Sequence, residues 1–299
     1  MSVFIKQEHT IGGFKDSDSW VILSPIERSI KQKIESIGTS LKYWDIEIYR
    51  GILTGYNEAF IISGEQRTKI LNNCTSADER KRTEELIRPI LRGRDIKRYS
   101  YHWANLWLIW IPWHFPLHLD NTIQGASEKA EKEFKKHYTA VYNHLIKFKA
   151  QLSARNKAET GIRYEWYALQ RWGANYWEDF SKPKILYQEL TQGSSFFYDD
   201  SCNFLVSNTG YLITGQHLDY LIKLLNSKLI EVVYSKFYAT KIGSGIRWLS
   251  QNIKQLPLPI YNASYVTKIT SATTDEEVEF ELYRILHLSE EEIQYFKEA

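Results

Sequence analysis

The sequence predicts an α+β protein, in which a mixed sheet carries inserted long helices and ends in a small helical appendix. Three observations support this fold class. Residues 43–49 (YWDIEIY) alternate between apolar and polar side chains, as a half-buried strand does. Residues 127–150 and 217–237 place apolar side chains at helical spacing. Short apolar runs separated by turn residues fill 184–213, which is typical of consecutive short strands.

The first elements are a helix and two strands. The segment SPIE, Ser24 to Glu27, forms a capping box with proline at the first helical position. The apolar face of this helix consists of Ile26, Ile30, Ile34 and Ile37. Gly38 is expected to end the helix. The strand at 43–49 is followed by a loop, a tight turn and a second strand within 50–62 (RGILTGYNEAFII).

The middle of the chain adds two helices and a strand. A charged helix is expected from Ala77 to Leu91, with Pro89 disturbing its end. The run LWLIWIP that begins at Leu106 predicts a buried strand. Between Ser127 and Ala150 we expect one amphipathic helix, whose apolar face consists of Phe134, Tyr138, Val141, Leu145 and Phe148.

The C-terminal part continues with short strands and helices. The strands KILYQEL, SFFYD, NFLVS and YLI precede a second long helix at 217–237. The segment PLP at 257–259 closes this part, and SEEE at 289–292 is another capping box. We therefore expect two terminal helices and divide the chain into a domain at 1–260 and a helical appendix at 261–299.

The composition indicates an ordinary globular protein in a reducing compartment. Hydrophobic residues make up 43% of the chain, and two cysteines, Cys74 and Cys202, form neither a disulfide framework nor a C-x-x-C zinc signature. The longest apolar run, Ala104 to Trp113, is too short to span a bilayer. The first residues lack the apolar core of a signal peptide. We expect a soluble, cytoplasmic protein without a membrane partner.

The charge is distributed unevenly along the chain. The net charge is only +2, but residues 80–171 carry 18 Lys and Arg against 9 Asp and Glu. Residues 275–299 carry 9 acidic against 2 basic residues. A basic middle beside an acidic end predicts a surface that faces a polyanion, although ordinary solvated helix faces explain the same charges. The 10 Trp, 20 Tyr and 13 Phe suit base stacking, but most of them are expected in the core.

The sequence contains no recognised catalytic signature. It lacks the P-loop, the H-E-x-x-H zinc motif and the G-x-S-x-G elbow. It also lacks the Asn/Asp-Pro-Pro-aromatic segment with which amino-methyltransferases of DNA hold the flipped amine. Asp120, Glu133 and Lys135 form a D…E-x-K series that could hold a metal in a nuclease. Because Glu133 and Lys135 lie in the amphipathic helix, where alternating charges are normal, the nuclease stays an alternative.

Binding signals are stronger, and the first of them is the segment RGRDIKRY. It places four cations, Arg92, Arg94, Lys97 and Arg98, within seven positions. Arginine clamps phosphates and reads guanine edges with two parallel hydrogen bonds. Asp95 could orient one of these guanidinium groups, and an internal Arg94–Asp95 brace is the structural alternative.

Three further segments are candidates for contact with a nucleic acid. The segment YEWYALQRW mixes aromatic rings, including Tyr164, with Arg171, and the segment KPK offers two ammonium groups, Lys182 and Lys184, to phosphates. The segment GSGIR places Ser244 and Arg247 beside two glycines, which let a backbone approach a ligand closely. A surface turn with a solvated arginine explains GSGIR equally well.

Five motifs in this order resemble the TaqI-like C-terminal specificity domain, the target-recognition domain of adenine-N6 methyltransferases in fused type II restriction-modification enzymes. They are GILTGYNEAFII, IRPILRGRDIKRY, WYALQRW, KPKILYQEL, and LLNSKLIEVVYSKF with GSGIRWLSQNIKQLPLPI. Type I specificity subunits are similar at a greater distance. The resemblance covers about Trp44 to Ile260.

The resemblance implies recognition of a double-stranded DNA sequence, with catalysis by a methyltransferase domain outside this chain. S-adenosylmethionine and Mg²⁺ are then expected in the missing catalytic domains, with no cofactor or metal in this chain. We expect the chain to be a fragment or a domain that is linked to, or associates with, that methyltransferase. An RNA-binding or acidic-protein-binding module is a further alternative.

The resemblance also implies roles for two sets of residues. In such domains the long helix, here Leu218 to Phe237, is a support, and the glycine-containing loop after it lies near the DNA. The resemblance assigns no base contact to a particular residue, because recognition loops vary with the target sequence. Within this loop we expect Arg247 to read a base. Thr54, Gly55 and Asn57 belong to the shared pattern and are expected to be structural, because a shared pattern cannot encode a variable target.

Overall fold

Two units make up the part of the chain that this computed structural model describes, residues 23–243 and 245–298. Residues 47–189 and 195–214 form one of them, called here the inner unit. The terminal unit consists of the described residues within 23–46, 190–194 and 215–298.

Helices and short strands alternate through both units. The strands are β1 Gly38–Ser40, β2 Ile46–Arg50, β3 Ile61–Ser63, β4 Ile87–Leu91, β5 Ile96–Lys97, β6 Ser100–Tyr101, β7 Leu106–Ile109, β8 Lys184–Gln188, β9 Leu190–Thr191, β10 Phe196–Asp199, β11 Leu205–Val206, β12 Gly210–Gly215, β13 Thr240–Ile242, β14 Gly245–Arg247 and β15 Pro257–Pro259. The α-helices are α1 Pro25–Ile37, α2 Asn57–Phe60, α3 Gly64–Asn72, α4 Ala77–Leu86, α5 Glu128–His137, α6 Thr139–Leu145, α7 Lys149–Ser153, α8 Leu218–Asn226, α9 Lys228–Val233, α10 Ser250–Ile253, α11 Ala263–Ser271, α12 Asp275–Ile285 and α13 Glu290–Glu298.

The inner unit contains two four-stranded sheets and a small hairpin. One sheet has the order β10-β8-β12-β2, and β8 runs antiparallel to both β10 and β12. The other has the order β11-β4-β7-β3, in which β11 is parallel to β4 and the remaining pairs are antiparallel. Strands β5 and β6 form the hairpin. Helices and mixed sheets together confirm the predicted α+β class.

One hydrophobic core holds the inner unit together. It joins side chains from both sheets, such as Leu186 and Ile90, to Phe134 of α5. Each of these three residues is completely buried. Burying a large apolar side chain contributes about 1.5–3 kcal/mol, so this core fixes the scaffold on which surface loops are held.

The predicted helix at 77–91 and the predicted strand within 50–62 are wrong in part. Helix α4 ends at Leu86, and residues 87–91 are instead strand β4, in which Pro89 lies opposite Trp107. The apolar run IRPIL buries Ile87, Ile90 and Leu91, and this burial outweighs the helical periodicity. In the second segment, helix α2 precedes β3, which spans only three residues.

Both long helices are interrupted in the structure. The segment 127–150 divides into α5, α6, a 3₁₀ turn and the start of α7, because Tyr138 leaves the helical conformation at φ −137°. The segment 217–237 divides at Ser227, which is extended and accepts a hydrogen bond from the backbone N–H of Ile230. Ser227 is thus the N-cap of α9.

The terminal unit packs its helices around two small sheets. Strand β1 pairs with β15, and β13, β14 and β9 form a three-stranded sheet. Glu292 at the start of α13 accepts hydrogen bonds from Ser29 and Lys33 of α1. Three helices, rather than two, follow residue 260. They lie in the same unit as residues 215–260, and the predicted division at residue 260 stays a prediction. Within the described residues, no helix is both long and apolar enough to cross a membrane.

Candidate nucleic-acid interface

The segment RGRDIKRY lies in a short hairpin of the inner unit, called here the basic hairpin (residues 92–101). Its strands β5 and β6 are connected by Arg98 and Tyr99, and Tyr99 adopts the left-handed conformation at φ 56° that a tight turn requires. The backbone N–H of Tyr99 donates to the carbonyl of Phe196 at 2.9 Å. Ile96 is buried beneath the hairpin. The backbone is therefore fixed on the scaffold.

An ion pair inside the hairpin shapes its first turn. The Arg92 guanidinium donates two hydrogen bonds to the Asp95 carboxylate, at 2.9 and 2.7 Å, and the backbone N–H of Arg92 donates a third. Burial alone would raise the pKa of Asp95, but these hydrogen bonds outweigh burial and hold that pKa below its ordinary value. Arg92 is thus a brace, in which the guanidinium donates two hydrogen bonds to Asp95. The prediction of Arg94 as the brace partner is wrong.

Two of the other three cations of the hairpin are exposed to solvent. Arg94 and Lys97 are exposed, and the Lys97 ammonium donates to the carbonyl of Arg94 at 2.9 Å. Arg98 is half-buried, with its guanidinium 4.9 Å from the centre of the Tyr99 ring. A backbone that is held by these hydrogen bonds and carries three neighbouring cations can bind phosphate groups at little cost in ordering.

The structure contradicts the assignment of Lys184 to phosphate binding. Lys184 and Asp199 are both completely buried, and the ammonium nitrogen lies 2.7 Å from a carboxylate oxygen. The same carboxylate also accepts backbone hydrogen bonds from Asn203 and Phe204. Burial lowers the pKa of Lys184, an effect that Asp199 opposes. As the first residue of β8, Lys184 points into the protein, a direction that the spacing of KPK does not reveal.

Tyr164 is likewise a core residue rather than a surface one. It is completely buried and stacks on Trp113, with ring centres 4.8 Å apart. Its hydroxyl lies within hydrogen-bonding distance of Thr160. The aromatic richness of YEWYALQRW therefore reflects packing, and Tyr164 does not offer a ring to a ligand.

Arg171 and Lys182 remain candidates on the surface of the inner unit. Arg171 is exposed, while its backbone forms two hydrogen bonds with Leu53. Lys182 is also exposed and donates to Asp179 at 2.7 Å. Surface pairs of this kind are weak, so a phosphate can replace the Asp179 carboxylate as the partner of Lys182.

The segment GSGIR lies in the terminal unit, in the hairpin of β13 and β14. Gly243 at its turn has φ +59°, with open space where a Cβ would lie, whereas Ser244 is outside the described residues. Arg247 is half-buried in β14, and its carbonyl accepts a hydrogen bond from the Tyr234 hydroxyl at 2.9 Å. The Tyr234 ring stacks on Trp248. The hairpin backbone at Arg247 is therefore firmly held.

The residues of the shared TGYN turn make structural contacts. The Thr54 hydroxyl donates to the Asn57 side chain at 2.6 Å. Gly55 has φ +77°, and a Cβ there would collide with Gln170 and Arg155. Sequence reasoning missed Arg155, a buried guanidinium that donates to the carbonyls of Leu152, Thr54, Trp166 and Ala168. Burial lowers the pKa of Arg155 to about 10.

The residues of the nuclease alternative do not form a metal site in the described part of the chain. Asp120 accepts hydrogen bonds from Thr122, while Glu133 bonds to His137 one turn along the same helix. Across residues 23–243 and 245–298, no group of three His, Cys, Asp or Glu side chains is arranged to hold a metal ion. Lys135 instead lies 5.7 Å from the Tyr142 ring centre.

Sequence reasoning also missed two exposed rings on the basic hairpin. Tyr99 is 36% exposed and Tyr101 is 40% exposed. The available signal was the alternation of aromatic and polar residues in RYSYHW, where two tyrosines follow an arginine.

Comparison with solved structures shows the same fold in two restriction-modification enzymes. The type IIL restriction-modification enzyme MmeI, solved in complex with DNA, has a TM-score of 0.53 and 12% identity over 88% of this chain and 37% of its own. The type IIG restriction endonuclease BpuSI has a TM-score of 0.51 and 12% identity over 92% of this chain and 32% of its own. This chain thus spans about a third of the length of either enzyme. No curated protein sequence matches it.

A family model supplies the assignment. The model of the TaqI-like C-terminal specificity domain matches residues 88–258, which is more than half of the chain. The matched range includes the basic hairpin, the buried Lys184–Asp199 pair and the GSGIR hairpin. The chain therefore belongs to the TaqI-like C-terminal specificity domain family.

Proposed function

We propose that this chain recognises a double-stranded DNA sequence for a restriction-modification adenine-N6 methyltransferase and performs no catalysis itself. Membership of a specificity-domain family supports a recognition role in restriction and modification. Under this proposal S-adenosylmethionine and Mg²⁺ act in catalytic domains outside the chain. MmeI, which shares the fold, was solved in complex with DNA, and this agrees with duplex DNA as the ligand.

The basic hairpin is the observation that carries the proposal. It holds Arg94, Lys97 and Arg98 on a backbone that the Phe196 hydrogen bond and the Arg92–Asp95 brace keep in place. Phosphate contacts of this kind position a protein on DNA without reading its sequence. We therefore assign the hairpin to the DNA backbone.

Sequence reading is assigned to a different element, the GSGIR hairpin of the terminal unit. The Tyr234 hydrogen bond and the Trp248 stack fix the backbone of β14, so that Arg247 can be held at a defined position. A guanidinium that meets guanine O6 and N7 discriminates against a wrong base by about 1–3 kcal/mol.

A salt titration tests the hairpin's role. We expect the affinity for duplex DNA to fall linearly with salt on logarithmic axes, with a slope of about −0.9 per phosphate contact. Arg94→Ala and Lys97→Ala should each reduce that slope by about 0.9. Lys297→Ala, which removes an exposed cation from the acidic terminal helix, is the matched control and should change nothing. Equal slopes for all variants would refute the assignment.

A further inference from the structure

A row of aromatic side chains begins at the basic hairpin and continues across the inner unit. The rings of this aromatic strip belong, in order, to Tyr101, Phe204, Trp103 and Trp107, with centre-to-centre distances of 4.6, 6.0 and 5.2 Å. Tyr101 is 40% exposed, Trp103 and Trp107 are half-buried, and Phe204 is buried among them. The strip is thus a series of edge-to-face ring contacts that is most exposed at Tyr101 and partly exposed at Trp103 and Trp107.

The indole N–H groups of the strip already have hydrogen-bond acceptors. The Trp103 indole donates to the carbonyl of Leu106, and the Trp107 indole donates to the side chain of Asn105, both at 3.0 Å. These bonds fix the ring orientations and leave no indole donor of the strip in need of a ligand. The exposed part of the strip, chiefly the Tyr101 ring, can therefore stack against other planar rings.

One cation lies beside the Trp107 end of the strip, and another lies in the turn that precedes Tyr101. The Arg67 guanidinium lies 4.2 Å from the Trp107 ring centre, and none of the described residues accepts a hydrogen bond from its buried Nε. Arg98 lies over Tyr99, two positions before Tyr101. Aromatic rings between cations are the arrangement by which proteins bind unpaired nucleic-acid strands, with bases on the rings and phosphates on the cations.

We propose that the aromatic strip binds unpaired nucleotides of single-stranded DNA by base stacking. The inference rests on the proposed function, because the adjoining basic hairpin is assigned to DNA. In an intact duplex each base is covered on both faces by its neighbours, so the strip can engage only bases that have left the stack. Enzymes that act on a DNA base create such nucleotides when they extrude their target.

Stacking is tolerant of sequence, because every base has a π-face. The strip therefore differs from a base reader such as Arg247. It holds a strand that has been opened and contributes no preference for one target over another. Its cations, Arg67 and Arg98, neutralise the phosphates on either side.

Anisotropy titration of the full chain with a labelled single-stranded oligothymidine tests the proposal. Tyr101→Leu keeps an apolar side chain but removes the ring, and the affinity should fall about 5- to 150-fold. Tyr101→Phe should bind like the wild type. Tyr43→Leu, which removes a 73% exposed ring from the terminal unit, is the control and should have no effect. Arg67→Gln should reduce the salt slope by about 0.7.

A parallel titration with duplex DNA separates this inference from the proposed function. Binding of duplex but not of oligothymidine would refute the strip and leave the proposed function standing. Binding of oligothymidine but not of duplex would refute the proposed function and leave the strip standing. Wild-type affinity in Tyr101→Leu would overturn the proposal. Tighter binding of an oligouridine than of the oligothymidine would overturn the assignment to DNA.

Discussion

The two lysines of the KPK segment should respond in opposite ways to replacement by methionine. Lys184 and Asp199 form an ion pair with no solvent exposure on either side, whereas Lys182 reaches into solvent. Lys184→Met leaves the Asp199 carboxylate buried with the Ser201 hydroxyl and the backbone N–H groups of Asn203 and Phe204 as its hydrogen-bond donors. Removing one partner of such a pair costs about 3–5 kcal/mol, because the remaining charge has lost its counter-ion.

Urea denaturation measures this cost. For a loss of about 3–5 kcal/mol, the midpoint should fall by about 1 M or more. Lys182→Met should leave the midpoint unchanged and should reduce the salt slope of duplex binding if Lys182 meets a phosphate. The double variant Lys184→Met/Asp199→Asn removes both charges but keeps an amide oxygen as acceptor for the backbone N–H groups, and it should recover part of the lost stability. An unchanged midpoint in Lys184→Met, together with a smaller salt slope, would show that Lys184 is a phosphate contact and would refute the reasoning.

Three further predictions concern the hairpins and catalysis. Asp95→Asn should cost about 1.5–3 kcal/mol at neutral pH, because it weakens the charge-assisted bonds from Arg92. Since folding lowers the pKa of Asp95, this stabilisation is present above the ordinary carboxyl pKa. This stabilisation is lost as the pH falls through the pKa of Asp95 in the folded protein, so the urea midpoints of the wild type and of Asp95→Asn should converge in acid. A difference that stays constant with pH would contradict the ion pair. Arg247→Ala, made in the parent enzyme, should cost about 1–3 kcal/mol of binding free energy on the cognate duplex and relax the preference at one base pair. Equal losses of affinity on cognate and scrambled duplexes would show that Arg247 contacts the DNA backbone instead. Tritiated S-adenosylmethionine and duplex DNA should yield no labelled adenine with the purified chain, and measurable turnover would disprove the absence of catalysis.

Local signals in the sequence predict the elements that local interactions determine. The capping boxes at Ser24 and Ser289 form as expected, because each needs only residues three positions apart. The strand at β7 follows from its continuous apolar run. By contrast, the sequence pattern assigns β4 to the end of a helix, because the burial of this strand depends on β7 and on the parallel neighbour β11. Pairing between distant segments leaves no local pattern.

The same distinction applies to the candidate site. The clustering of cations in the sequence locates the basic hairpin. It does not show that Arg92 donates hydrogen bonds to Asp95 while Arg94 is exposed. Two lysines in one short motif have opposite environments, since the direction of a side chain depends on the strand that contains it. Residue types thus locate a basic surface, and only the fold decides which members of the cluster reach solvent.

Selection of bound duplexes from a random-sequence pool tests the central claim most directly, because every short target sequence is present in the pool and competes for the protein. The purified chain is incubated with the pool at moderate salt, and bound duplexes are sequenced after successive rounds. The account predicts enrichment of one short sequence, with Arg247→Ala losing the preference at a single base pair and Arg94→Ala weakening binding without changing the sequence. Retention of duplexes without any enriched sequence, or no retention of duplex at all, would contradict DNA sequence recognition by this chain.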